Sequence, residues 1–463
     1  MKKTILKNKW MIIFAVYSVI WLGACLFLLL PQSRLSILEF TENFFNTTTG
    51  RSYSPQRIIR DARQGAIYGF AFYVFLLFLV ALEKFIIKRS GKNNINWERL
   101  FAALITLLAV AIRVAGFNYK TLDYLVQSEW VTHLRENGHF FGFKTFPGNY
   151  NAIYLYFLGI LSYLPQTAEL YLMKIISCAF DFVCAFYAMK IMHRITRNQK
   201  IGLLAYAAVL FTPTVFINSS LWAQSESMYT AFVLIAFYYL TEDKFRSAML
   251  FFGIGLSFKL QVIFSLPFII LFFIYKKISL KNFLFIPIGL FAVSIPAYFF
   301  GWPLLRMPLN YLAGTDISTS LTHNAPTIFA WGNIPGIIPV IFIAAVLFCI
   351  GFLVINKHSV PSNNTLLLLF LFCNFSIPFF LPRMHERYFF VGEIAVVLYS
   401  IANPKRFWIS LAVIMPALVT YSGYLWDFYP FPLMNLSGIM LLAVVIISKW
   451  LIESILQDQQ LKT

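Results

Sequence analysis

Long apolar runs alternate with short polar breaks along the whole chain, and this pattern predicts a helical membrane protein. A membrane-crossing helix needs roughly 20 apolar residues, and the runs between breaks give about 14 such spans. The expected spans lie near 10–30, 65–87, 98–118, 168–193, 201–218, 226–241, 246–261, 262–276, 281–300, 336–356, 365–382, 387–402, 407–424 and 432–452. The expected fold class is therefore all-α, as a polytopic membrane protein.

Lysine and arginine concentrate in alternate breaks, and cytoplasmic loops normally carry this excess. Placing both termini in the cytoplasm satisfies the rule. The long breaks 31–64, 119–167 and 301–335 then lie on the extracytoplasmic side, where a site that they form would also lie. The pattern leaves open whether 31–64 and 301–335 close over such a site.

The second long break carries helical periodicity of its own. In 121–138 the apolar positions recur with a period near 3.6 residues, and Gly138 offers a natural end. The apolar stretch 151–165 is too short to cross a membrane. Two interfacial helices are therefore expected in this outer loop.

Composition excludes a water-soluble enzyme. Hydrophobic residues make up 59% of the 463 residues and charged residues 12%, against roughly 25% charge in soluble proteins, and the mean hydropathy is +0.73. The net charge of +18 is scattered singly between apolar runs, so nucleic acid is not an expected partner, whereas the lipid bilayer is. The five cysteines lack metal-ligand spacing, and neither a metal nor another cofactor is expected.

Ionisable side chains near a membrane surface are costly and are therefore candidates for function. Asp123 is the sharpest, because it follows the outer end of a span, with Tyr124 and Trp130 beside it and Arg113 just inside that span. A carboxylate at the mouth of a cavity can act as a general base. The structural alternative is that Asp123 caps the helix that follows it.

Two other polar segments fall on the same side. The stretch 218–229 offers an aromatic ring, amide and hydroxyls suited to a sugar, although an aromatic-belt turn would look the same. Arg383, His385 and Arg387 form an outer cationic turn, against the positive-inside trend, and Lys259 with Gln261 lies at a junction of two short spans. Arginine suits bidentate phosphate binding, so these cations predict an anion site.

One carboxylate facing several cations favours a particular chemistry. Glycoside hydrolysis usually needs two carboxylates, because a poor alkoxide leaving group must be protonated. A sugar that leaves from phosphate needs no such acid, since cations can hold the phosphate. One base that deprotonates the incoming hydroxyl is then enough.

Taken in order, six segments resemble integral-membrane glycosyltransferases of the GT-C fold, and in particular bacterial relatives of the second mannosyltransferase of GPI-anchor assembly and of the glucosyltransferases that extend dolichol-linked oligosaccharides. The resemblance covers about residues 98–402. The segments are TLDYLVQSEWVTHLRENG, NYNAIYLYFLGILSYLP, LYLMKIISCAFDFVCAF, PTVFINSSLWAQSESMY, FGIGLSFKLQVIFSLP and RMHERYFF.

The resemblance implies a polyprenyl-phosphate hexose as donor, inversion, and a hydroxyl of an extracytoplasmic glycan, lipid or polymer as acceptor. It makes Asp123 the general base and places the donor phosphate on Lys259, Arg383, His385 and Arg387. Contacts to sugar or acceptor are expected from Trp222, Gln224, Glu226, Gln261, Tyr124 and Trp130. Ala223, Glu226 and Ala152 stand where the family more often has Gly, Asp and Pro, which leaves the sugar open.

The expected organisation is an N-terminal two-helix extension (1–97), a catalytic module (98–300) and a variable transmembrane bundle (301–463). Asp181 and Lys174 are expected to pair with neighbouring helices, and Glu393 could partner a buried cation. Asp316 and His323 could close over the acceptor. The alternative functions are a transporter or flippase of lipid-linked saccharides, which would show repeated broken helices, and a lipid-linked polymer ligase or polymerase.

Overall fold

The computed structural model of the protein describes residues 97–306, 320–332, 334–355 and 361–460. These residues are almost entirely helical, as expected. The helices are α1 (Trp97–Ala115), α2 (Leu122–Glu136), α3 (Ala152–Leu161), α4 (Gln166–Thr196), α5 (Gln199–Phe211), α6 (Pro213–Phe216), α7 (Glu226–Thr241), α8 (Phe245–Leu256), α9 (Leu266–Lys276), α10 (Phe285–Ala292), α11 (Ile295–Phe299), α12 (Ile337–Ile355), α13 (Asn363–Phe380), α14 (Phe390–Ala402), α15 (Trp408–Trp426) and α16 (Leu433–Gln460).

Contacts divide the chain into two compact units. One unit comprises Phe101–Leu425 and Leu433–Thr463, and it holds all the residues discussed below. The other comprises Met1–Leu100 and Trp426–Pro432. The first two expected spans and the two-helix extension fall almost wholly outside the described residues, and so does Asp316.

Six described helical segments are long and apolar enough to cross a membrane, and a seventh is added if α5 and the bent segment after it form one span. The six are Gln166–Thr196, Leu280–Phe299, Ile337–Ile355, Asn363–Phe380, Trp408–Trp426 and Leu433–Asp458. The bend between Gln199–Phe211 and Pro213–Leu221 is 52°. The chain is thus a helical membrane protein, whereas the total of about 14 spans stays a prediction.

The two short helices expected in the outer loop are present as α2 and α3. Thr121 caps α2, because its hydroxyl accepts a hydrogen bond from the Tyr124 amide at 3.2 Å. Helix α2 ends at Glu136, and Gly138 follows with a φ of 79°, a left-handed conformation that glycine adopts without strain. The apolar residues Leu122, Leu125 and Val126 are exposed, as on a helix that lies at a membrane surface.

Two buried cations of the bundle, Arg113 and Lys174, are compensated by neighbouring segments. The Arg113 guanidinium donates to Asp181 at 2.8 Å and to the Leu210 carbonyl at 3.1 Å. The Lys174 ammonium donates to the Gly116 carbonyl at 2.8 Å. The expectation that Asp181 and Lys174 pair with neighbouring parts of the bundle is therefore confirmed. The partner of Asp181 is Arg113.

Helices α8 and α10 approach each other closely because each presents a glycine. A Cβ atom on Gly253 would overlap the Ile286 carbonyl oxygen, and one on Gly289 would overlap that of Leu250. Among the six described candidate spans, α13 is the most buried, with 89% of its spanning window inside the protein. This helix ends beside the segment that contains Arg383 and His385.

A short parallel pairing connects the segment around residue 323 to the segment around residue 385. Strand β1 (Thr322–His323) pairs with β2 (Met384–His385), so that His323 lies opposite His385. The Asn324 side chain also donates to the Thr420 carbonyl at 2.7 Å. The pairing fixes part of the 301–335 loop against the cationic turn.

Candidate functional site

Asp123 lies in the first turn of α2 and is half-buried. Because Thr121 supplies the cap, the alternative in which Asp123 caps this helix is wrong. The carboxylate is free of that role. It points instead to the segment that follows α6.

Two side chains donate hydrogen bonds to the Asp123 carboxylate, and a third lies close to it. Trp222 Nε1 lies 2.8 Å from Asp123 Oδ2, Gln224 Nε2 donates to the same oxygen, and the Tyr424 hydroxyl is nearby. Trp222 and Gln224 reach this position because a π-helical turn ends at Leu221 and Ala223 adopts a φ of 60°. The donors hold the carboxylate in one orientation.

The Trp222 ring connects the carboxylate to the cations. Its ring stacks on Tyr424 with 4.3 Å between centroids. The Arg387 guanidinium carbon lies 5.3 Å from the same Trp222 ring. An arginine over an aromatic face is held by a cation–π interaction, so Trp222 positions both groups.

Lys259 and Arg387 share the buried carboxylate of Glu226. Glu226 Oε1 lies 2.7 Å from Lys259 Nζ and 3.4 Å from Arg387 Nε. Lys259 occupies the break between α8 and the 3₁₀ turn Leu260–Ser265, where irregular backbone directs the side chain inward. Arg387 also lies 3.3 Å from Glu386. Glu226 thus holds the two cations, whereas sequence reasoning gave it a sugar contact.

An aromatic wall lies next to Lys259. The Lys259 ammonium is 5.5 Å from the Tyr150 ring, and Tyr150 lies 5.4 Å from the Trp130 ring between centroids. The Ser225 hydroxyl donates to the Tyr150 hydroxyl at 3.4 Å. Trp130 therefore contacts the site through Tyr150, a residue to which the sequence assigned no role.

The remaining expected residues lie less directly at the site. Tyr124 is buried, and its hydroxyl is near Ser128 and Glu169. Gln261 has a buried side-chain oxygen that has no hydrogen-bond partner among the described residues. Arg383 adopts a φ of 63°, and its amide donates to the Leu321 carbonyl at 2.8 Å. The Tyr124 hydroxyl thus lies near Ser128 and Glu169 and not with Trp222 and Gln224, which donate to Asp123.

His385 stacks on His323 with 4.6 Å between ring centroids. Burial, with the nearby Arg387 charge, lowers the pKa of His385 to about 2, and burial lowers the pKa of His323 as well. Burial raises the pKa of Glu386 to about 7, although Arg387 acts in the opposite direction. Burial and the nearby cations therefore disfavour the charged form of both imidazoles.

Comparison with protein-family models gives no match, and comparison with curated proteins gives none. Among the described ranges, no three His, Cys, Asp or Glu residues come together as a set that could hold a metal ion.

The arrangement combines an oriented carboxylate, an aromatic platform and a cluster of cations. Sequence reasoning found Asp123 and the cations but missed Tyr424 and did not place His323 beside His385. Tyr424 lies near the end of α15, an ordinary apolar span, so no local signal marks it. His323 lies 62 positions before His385, and only the strand pairing brings the two together.

Proposed function

We propose that this protein is a membrane glycosyltransferase of the GT-C fold. It moves a hexose from a polyprenyl-phosphate donor to a hydroxyl of an extracytoplasmic glycan, lipid or polymer, with inversion and without a metal. The observation that carries the proposal is the Trp222 ring, whose Nε1 lies 2.8 Å from Asp123 while Arg387 lies 5.3 Å from the ring. A base and an anion-binding group are thus held by one side chain.

Asp123 is the general base in this reaction. The acceptor oxygen attacks the anomeric carbon from the face opposite the phosphate, and its proton passes to the Asp123 carboxylate. A positioned base of this kind contributes about 10² to 10⁴ in rate. Trp222, Gln224 and Tyr424 act as positioning residues, since they fix the carboxylate.

Lys259 and Arg387 receive the donor phosphate. Glu226 lies between them in the substrate-free protein and compensates part of their charge. The phosphate brings a negative charge to the same cations, with Arg383 and His385 close by. Electrostatic stabilisation of the leaving phosphate replaces the acid that a glycosidase needs.

The apolar surface of the bundle suits a donor with a polyprenyl tail. The expected sides of the membrane place Asp123 and the cations outside the cytoplasm, where the acceptor is a cell-envelope glycan. Which hexose is moved depends on Gln224, Gln261 and the aromatic residues around Tyr150.

The test is turnover by purified protein in lipid nanodiscs. Supplied with a polyprenyl-phosphate hexose and candidate acceptors, the protein should release polyprenyl phosphate and form a glycosylated product together. Mannose and glucose donors are tried separately. Absence of both products with every donor and acceptor would contradict the proposal.

A transporter of lipid-linked saccharides is the second candidate, and the 52° bend after Phe211 favours it, since transporters use broken helices. A transporter would move the intact lipid-linked sugar between leaflets of proteoliposomes without releasing polyprenyl phosphate. Measuring both quantities in the same vesicles separates the two functions.

A further inference from the structure

The stacked pair of His323 and His385 contains the only two imidazoles that the described residues bring to the site. Their rings are 4.6 Å apart and inclined by 17°. Backbone pairing of β1 with β2 sets this register, so the two rings stack regardless of side-chain hydrogen bonds. In the described part of the chain, no hydrogen bond is made by either imidazole, and their nitrogens are available to a ligand.

Cations surround the pair. The positive charge of Arg387 lowers the pKa of both imidazoles. Arg383 has the same effect on His323, and Lys259 has it on His385. The Tyr388 ring lies 5.2 Å from His385. Among the residues that the structure describes, no carboxylate contributes to the shift in pKa of either imidazole. Burial and these cations lower the pKa of both imidazoles, and the negative charge of a bound anion would act in the opposite direction.

The chemistry of the proposed donor changes the charge at this place. A polyprenyl-phosphate sugar is a phosphodiester with one negative charge. When its bond from the anomeric carbon to the phosphate oxygen breaks, the electron pair stays on that oxygen, and the phosphate becomes a monoester with two negative charges. The new bond joins the acceptor oxygen to the anomeric carbon, and the acceptor proton goes to Asp123.

We propose that His323 and His385 form a receptor for the leaving phosphate monoester and together take up one proton from water as its second charge develops. This inference rests on the proposed function. The positive charges of the imidazolium and the neighbouring cations then balance the two negative charges of the monoester. The diester has only one negative charge, so its binding does not need the additional proton. The pair therefore favours the departing phosphate over the bound donor. His323, which the 301–335 loop supplies, is a further residue of the phosphate site.

The test measures proton uptake on binding and needs no turnover. Farnesyl phosphate, a monoester, is titrated calorimetrically at pH 7.5 into the full-length protein in two buffers that differ in ionisation enthalpy. The expected uptake is about one proton per bound ligand. Methyl farnesyl phosphate, a diester, should bind with little uptake. Measurements on the wild-type protein are enough to overturn the inference. Either failure to bind the monoester or binding without proton uptake would do so.

Substitutions of the two histidines test whether these residues take up the proton. His323→Gln and His385→Gln keep the backbone pairing, and each should abolish most of the uptake and weaken farnesyl phosphate binding about 10-fold. His133→Gln is the matched control, because His133 bonds to Thr145 in another part of the outer loop. Uptake that persists in both site variants would overturn the inference. Proton-linked binding without any transfer would count against the proposed function alone.

Discussion

Glu226→Gln should make the protein less stable and at the same time make it bind phosphate more tightly. The Glu226 side chain is fully buried, and its two cationic partners are 14% and 13% exposed. Removing one partner of a buried ion pair costs about 3 to 5 kcal/mol. Because both cations keep some contact with solvent, the lower end of that range is expected, at about 3 kcal/mol.

The gain in phosphate affinity follows from the same geometry. Glu226 lies 2.7 Å from Lys259 and 3.4 Å from Arg387, so a phosphate on the far side of these cations would lie about 6 Å from the carboxylate. At an effective dielectric constant of about 20, that repulsion is about 3 kcal/mol. Every 1.4 kcal/mol is about tenfold in affinity, so farnesyl phosphate should bind Glu226→Gln at least about 10-fold more tightly.

Glu169→Gln is the matched control for this prediction. Glu169 is equally buried and pairs with Arg135 at 2.5 Å and Ser128 at 2.8 Å. This variant should lose stability as well, but its affinity for farnesyl phosphate should not change. Thermal unfolding and calorimetric titration provide the two quantities. Unchanged or weaker binding in Glu226→Gln would refute the view that its carboxylate competes with phosphate for the cations.

The remaining predictions concern packing, backbone strain and pH. Gly253→Ala should destabilise the protein by about 2 kcal/mol or more in thermal unfolding, because its Cβ meets a backbone carbonyl, whereas Gly351→Ala has ordinary contacts and should change little. Ala223→Gly should stabilise by about 1 kcal/mol, since φ is 60° there, whereas Ala231→Gly inside α7 should destabilise by about as much. The pKa of Glu386, raised to about 7, means that stability falls as pH rises from about 4.5 to 7, on the order of 2 kcal/mol, and melting temperatures should show no such fall in Glu386→Gln.

Three results would contradict these predictions. Equal effects of Gly253→Ala and Gly351→Ala would contradict the close approach of α8 and α10. Loss of stability in Ala223→Gly would contradict the strain at that turn. A wild-type melting temperature that changes between pH 4.5 and 7 in the same way as that of Glu386→Gln would contradict the raised pKa of this carboxyl group.

Local patterns predicted the parts of the fold that depend on local sequence. The 3.6-residue period of 121–138 predicted α2, and the short apolar stretch 151–165 predicted α3. Identifying the capping residue failed, because Thr121 and Asp123 both favour a helix start, and only the geometry shows that Thr121 takes that place. The hydrogen bonds from Trp222 and Gln224 to Asp123 were not predicted, because about 100 residues separate these positions in the sequence.

Long-range partners were not predictable. Glu226 follows a tryptophan and an amide in a pattern typical of sugar contact, but the buried position beside Lys259 and Arg387 makes it their counter-ion. Tyr424 and His323 lie in segments without a distinguishing motif. Helices α7 and α14 have 16 and 13 residues, which is shorter than the roughly 20 residues that a membrane span needs, so the total of about 14 spans stays a prediction.

The most direct test of the central claim compares Asp123→Asn with Glu129→Gln, an exposed acid on the same helix. Asparagine still accepts the hydrogen bonds of Trp222 and Gln224 but does not take a proton. The rate of polyprenyl phosphate release should fall by about 10² to 10⁴ in Asp123→Asn, with farnesyl phosphate binding nearly unchanged and Glu129→Gln fully active. Release at the wild-type rate by Asp123→Asn would contradict its role as the base.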